Sequence, residues 1–150
     1  MKKIMFLLVV CVLTFAYKSY AEEYKHSLTF VVYTYHYSDG DYTEGIENRL
    51  IAIEWNGLAL ADFVNSYGRE TQFVGYGWHT KKFYAKDSTH LWVRGNAYLG
   101  ALLGYGHDHP VHLGVLSPGA YPTGNIGYDN YSVEVGLMPG FVWTGLKVEF

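Results

Sequence analysis

Cysteine is almost missing from this 150-residue chain: Cys11 is the single one, so no intrachain disulfide can hold a fold together. Basic charge is scarce too. With residues 1–21 set aside, Lys plus Arg falls from 11 to 8 against 14 Asp plus Glu, a net charge of −6. That balance disfavours nucleic acid or another polyanion as a partner through net charge. Beyond residue 21 no apolar stretch nears the ~18 residues that mark a helical membrane span, and no segment shows a helical period with caps. Internal repeats, linkers and low-complexity segments are absent, so residues 22–150 suit one domain.

What is present begins with Lys2 and Lys3, an apolar run from Ile4 to Phe15, and Ser19-Tyr20-Ala21. A basic start, a short apolar core and a small-x-small site predict a secretory signal peptide over residues 1–21. Cys11 falls inside it. Thirteen of the 15 tyrosines lie after it, a composition that suits the aromatic girdles of a membrane barrel, whose strands need only ~9–11 alternating residues.

Alternation is clearest from Thr89 to Leu103. Leu91, Val93, Ala97, Leu99, Ala101 and Leu103 share one face, while His90, Trp92, Arg94, Asn96 and Tyr98 share the other. A strand this long is unusual where strands average five or six residues. Further strands are predicted at Leu28–Tyr37, Arg49–Trp55, Leu58–Val64, Thr71–Tyr84, His112–Tyr121, Tyr131–Met138 and Phe141–Phe150. Asn56-Gly57, Lys86-Asp87-Ser88 and Tyr128-Asp129-Asn130 are tight turns, alternating with the longer connections Ser38–Asn48, Asn65–Glu70 and Gly104–Pro110. Eight strands with short and long connections in alternation predict an all-β fold, an eight-stranded antiparallel transmembrane β-barrel of outer-membrane type over residues 22–150. Arg94, Asn96, Glu134, Lys147 and Glu149 fall on the faces expected to form a polar lumen network.

Two constellations carry chemistry. Gly75 and Gly77 interrupt a strand, which calls for a bend or for an object approaching the wall; in a small filled barrel, missing side chains leave room for a narrow rod such as an acyl chain. His107, Asp108, His109 and His112 read as a polar outer loop with surface metal affinity, or as a zinc or copper site lacking a closed four-ligand set. No metal or other cofactor is expected on this reading.

The stretch Phe63–Trp78, FVNSYGRETQFVGYGW, resembles the segment of the outer-membrane lipid A palmitoyltransferases (the PagP family) that carries an Asp-Ser pair and a glycine measuring the acyl chain. Tyr33-Thr34-Tyr35-His36 resembles the family's aromatic-His strand end, Ile126–Gly140 keeps its spacing, and the terminal Phe150 resembles a barrel assembly signal. The resemblance covers almost all of residues 22–150. It implies a monomer in the outer membrane of a Gram-negative bacterial cell that moves a palmitoyl chain from a glycerophospholipid donor to lipid A. By the same resemblance His36 and Ser66 are catalytic, Gly75 and Gly77 bind the acyl chain with Gly77 as its floor, and Pro118 and Pro139 flank a lateral gap for lipid access. His36 is then the general base, and Ser66 with the N–H groups of the Asn65–Gly68 turn orients the ester or forms part of an oxyanion site.

Departures from the pattern bear on the chemistry. Asn65 stands where the family has aspartate, and an amide cannot offset an imidazolium charge; Asp62, Asp39 or Asp41 are the candidate replacements. Val31 occupies one place where a proline would open a second lateral gap on the first two strands. The rival expectations are a non-catalytic outer-membrane barrel that binds lipid or mediates surface interaction, and a soluble secreted lipid-binding barrel.

Overall fold

Residues 26–37, 48–105, 112–138 and 140–150 are described by a computed structural model. Alternating sequence there becomes nine strands: β1 (His26–His36), β2 (Ile51–Trp55), β3 (Leu58–Val64), β4 (Glu70–His79), β5 (Phe83–Tyr84), β6 (Leu91–Leu103), β7 (Leu116–Tyr128), β8 (Tyr131–Met138) and β9 (Phe141–Glu149). Every pairing is antiparallel, and the order β4-β3-β2-β1-β9-β8-β7-β6 closes because β4 also pairs with β6. The two residues of β5 pair with Val93 and Trp92 of β6, continuing the line of β4 past an interruption at 80–82. The fold is therefore an eight-stranded closed antiparallel barrel, with β4 and β5 sharing the stave predicted for Thr71–Tyr84.

Its polarity is inverted relative to a water-soluble barrel. Outward positions carry Ile53, Leu60, Val93, Leu99, Val133 and Leu146, all exposed, while inward positions carry Glu54, Arg94, Asn96, Glu134, Lys147 and Glu149, all buried. Charged groups survive burial only when paired and hydrogen-bonded, since desolvation costs several kcal/mol per ion. They are paired here. Lys147 Nζ donates to Tyr98 Oη at 2.7 Å and sits 3.4 Å from Glu54 Oε2 and 3.7 Å from Glu134 Oε2. Arg94 bonds Glu149, which also holds Lys82 Nζ at 2.8 Å. His79 bridges Glu54 and Asn96. The lumen network expected from strand parity is thus present and lies toward the end closed by the tight turns. At one of these, Asn56 and Gly57 both adopt positive φ (51° and 85°), the geometry a two-residue hairpin turn demands.

The strand predicted at His112–Tyr121 starts later and runs further, from Leu116 to Tyr128. Pro118, Pro122 and three glycines give this stretch the composition of a loop, yet each fits the wall. N–H groups alternate sides along a strand, so Pro118 and Pro122 lack donors on the same edge. The β6 ladder runs unbroken through both, so the edge without donors is the one facing β8. The β7–β8 ladder accordingly spans only Thr123↔Gly136 to Tyr128↔Tyr131. At Gly127 a Cβ would lie 2.2 Å from the Trp92 ring, so glycine is what gives that buried indole room to lie against β7.

A second break in pairing occurs beside β1. The β1–β2 ladder ends at Phe30↔Ile51, and among the described residues β1 has no β2 partner above it, although neither strand contains the prolines expected of such a gap. Against β9 the same strand carries a bulge between Val31 and Tyr33. An extra residue reverses the facing of everything beyond it. Ser27 and Thr29 point inward at odd numbers; after the bulge the buried residues are Thr34 and His36, and Tyr33, Tyr35 and Tyr37 are about half exposed (49%, 50% and 56%).

Candidate functional site

At the end opposite the tight turns, the re-aimed His36 meets Ser66. Ser66 lies in the turn joining β3 to β4, where Asn65 organises the backbone: its Oδ1 accepts from the N–H groups of Tyr67 (2.9 Å) and Arg69 (3.1 Å), and its Nδ2 donates to Thr71 Oγ1 (2.9 Å). The Asn65 N–H donates to Arg69 O, and the Gly68 N–H to Asn65 O, both at 2.9 Å, with Gly68 at φ 73°. This Asx-type turn holds Ser66 over the lumen mouth. His36 Nε2 lies 2.8 Å from Ser66 Oγ, and both residues are buried. The Phe141 ring, 5.3 Å from the imidazole centroid, covers one side of it.

A third group joins them. The Tyr105 phenol hydrogen-bonds to the Ser66 side chain and backbone, and the Tyr67 ring packs edge-on against it at 6.3 Å. Burial pushes this phenol above the ordinary tyrosine range, an effect opposed by the bond to the Ser66 side chain and reinforced by Tyr67. Gly104 makes the approach feasible: at φ 113° it brings the end of β6 against β4, where a Cβ would meet Glu70 O at 2.3 Å.

Below the mouth is a cavity of about 100 Å³. Its walls include Ala52, Ala59, Ala61, Phe63, Phe73 and Trp143, mostly apolar surface, and Ser66 and Asn65 are also in contact with it. Tyr98, Glu54, Glu134 and Lys147 line it too, where it meets the paired charges of the other half. Apolar walls and one polar end suit a ligand with a hydrocarbon tail and a polar head. The pair at the mouth has the geometry of a nucleophile and its base.

His36 and Ser66, expected together, are together. Asn65, placed with them by resemblance, is directed to the turn by the hydrogen bonds described above, and Asp62 is exposed on the outward face of β3. Asp39 and Asp41 lie outside the described residues. Gly75 and Gly77 do not line the cavity. A Cβ at Gly75 would meet the Phe73 ring and Leu99 O at 2.4 Å, and one at Gly77 the Tyr98 ring at 2.7 Å and Glu54 Oε1 at 2.9 Å. These glycines make room for the side chains that form the wall and floor. Pro118 sits on β7 where its β8 ladder is missing; Pro139 lies outside the described residues, as do His107, Asp108 and His109. Among the described residues, no group of three His, Cys, Asp or Glu side chains is placed to hold a metal ion.

Tyr105 escaped the sequence reading. The one available signal was an aromatic immediately after the glycine that ends the longest alternating strand. No protein-family model and no curated protein matches the sequence.

Proposed function

We propose that this chain is an outer-membrane acyltransferase that moves a long acyl chain, palmitoyl in the PagP-like reading, from a glycerophospholipid to lipid A. The observation that carries the proposal is the 2.8 Å contact between His36 Nε2 and Ser66 Oγ above an apolar cavity. Membrane placement is supported by the inverted polarity. Thirteen-residue strands such as β6 and β7, at ~3.3 Å per residue and a tilt of ~40°, rise about 30 Å, enough for an apolar band ~25 Å tall.

In the proposed reaction the donor's acyl chain lies in the cavity with its ester at the mouth. Ser66 Oγ attacks the carbonyl carbon as its proton passes to His36 Nε2. Collapse of the tetrahedral intermediate breaks the bond to the glycerol oxygen, which takes that proton and leaves as a lysophospholipid. A lipid A hydroxyl then attacks the acyl-serine, giving its proton to His36, and Ser66 departs with it. The missing upper ladder between β7 and β8, where Pro118 lies, supplies a lateral route for lipid. Asn65 acts as the turn's organiser, and the pair operates without a carboxylate from that turn.

The test is mass spectrometry of lipid A from Gram-negative cells expressing the chain, with His36→Ala and Ser66→Ala alongside. Lipid A heavier by one palmitoyl group, seen with the wild type and lost in both variants, is the expected result. Unmodified lipid A from cells whose barrel is folded in the outer membrane, shown by fractionation and heat-modifiable migration, favours the non-catalytic lipid-binding barrel. Failure to fractionate with the outer membrane refutes the placement.

A further inference from the structure

We propose that Tyr105 is a further catalytic residue, its phenol O–H donating to the oxyanion that forms when Ser66 attacks the donor ester; this rests on the acyl-transfer reading above. The argument begins with proton inventory. A serine hydroxyl has one proton and two acceptor lone pairs. With Ser66 as nucleophile that proton points at His36 Nε2, 2.8 Å away. The Ser66 side-chain bond that opposes the rise of the phenol's pKa is one the phenol oxygen accepts; with the Ser66 proton turned to His36, the bond between the two hydroxyls is kept only with the phenol as donor. The phenol proton is therefore aimed at the atom about to form the new bond.

Attack uses a lone pair of Oγ and places negative charge on the former carbonyl oxygen, one atom beyond the new bond. Tyr105 passes its hydrogen bond from Oγ to that oxygen. The Ser66 backbone also bonds the phenol oxygen, and both residues line the same cavity, so the phenol is held beside the nucleophile with its O–H as the donor for an oxyanion. Burial of the phenol favours its protonated, neutral form. The ring is held twice, by Tyr67 edge-on and by packing over the Ala59–Phe73–Leu102 cluster. Proton and electron balance is unchanged: Tyr105 donates a hydrogen bond and keeps its proton, while the transferred proton travels between Ser66, His36 and the leaving oxygen.

Cleavage of p-nitrophenyl palmitate by the refolded full chain in detergent micelles measures this step without lipid A. Tyr105→Phe keeps the ring and removes the donor; heat-modifiable migration checks that the variant folds. The expected outcome is a fall in kcat of ~10²–10³-fold, the scale for loss of one oxyanion donor, with KM within about twofold. A kcat equal to wild type, or a loss confined to KM, overturns the assignment while leaving acyl transfer standing. Ester cleavage that depends on Tyr105 in a chain that never acylates lipid A supports the assignment and removes lipid A as acceptor. A folded wild type that cleaves no ester overturns both.

Discussion

The two halves of the lumen are built from the same alternating strands and do opposite things. Toward the tight turns, Glu54, His79, Arg94, Asn96, Glu134, Lys147 and Glu149 fill the interior with a cross-linked set of charges and amides. Toward the longer connections, the inward residues include Ala52, Ala61, Phe63 and Phe73, small or apolar, and a cavity remains between them. Because a barrel wall is secured by its own ladder, lumen side chains can be assigned to sealing in one layer and to ligand in the next. Tyr98 and Lys147 form the boundary, bonded to each other and facing the cavity.

The largest effect is expected where the sealed half loses a charge. Lys147→Met leaves Glu54 and Glu134 without their shared cation, and unpairing a buried charge typically costs ~3–5 kcal/mol. Urea unfolding in micelles should show a loss of that size, with activity per folded molecule retained; an unchanged midpoint would mean that the network does not brace the barrel. A smaller effect tests whether the boundary is a mechanical stop. Gly77→Ala drives a methyl to 2.7 Å from the Tyr98 ring, and the ring can yield only toward the cavity or the network. Chain-length profiling with donors of graded acyl length should show a shift toward shorter chains, whereas the same profile with intact activity rejects Tyr98 as the floor. The smallest concerns the mouth. Asn65→Asp keeps the acceptor for the Tyr67 and Arg69 N–H groups, so the acyl-transfer rate should change by less than about threefold, roughly 0.7 kcal/mol in barrier. A rise of orders of magnitude would instead mark Asn65 as a lost catalytic acid.

Much of this was legible in the chain. β3 and β8 fall on the predicted residues, and parity alone located the polar lumen residues, because the period of a strand separates two faces whatever its neighbours. Pro122 and Gly127 were misleading for a physical reason: their local preference is for turns, and only the unpaired edge and the Trp92 ring, both tertiary facts, make them wall residues. His36 and Ser66 were named through a family resemblance, but their contact spans 30 positions of sequence and depends on a bulge that two adjacent apolar residues, Val31 and Val32, do not announce. Tyr105 carries no motif, and its place follows from a glycine bend and a close approach of strands.

The bulge makes the facing of His36 a matter of counting. Were β1 one residue shorter between Phe30 and Tyr33, its ladder with β9 would run straight, and Tyr33 and Tyr35 would enter the cavity while His36 turned outward. A substitution scan would miss this dependence, since no single side chain carries it; only an insertion or deletion can reveal it. In any chain aligned to this one, the length of that short segment is as informative about the proposed reaction as the identity of the histidine itself.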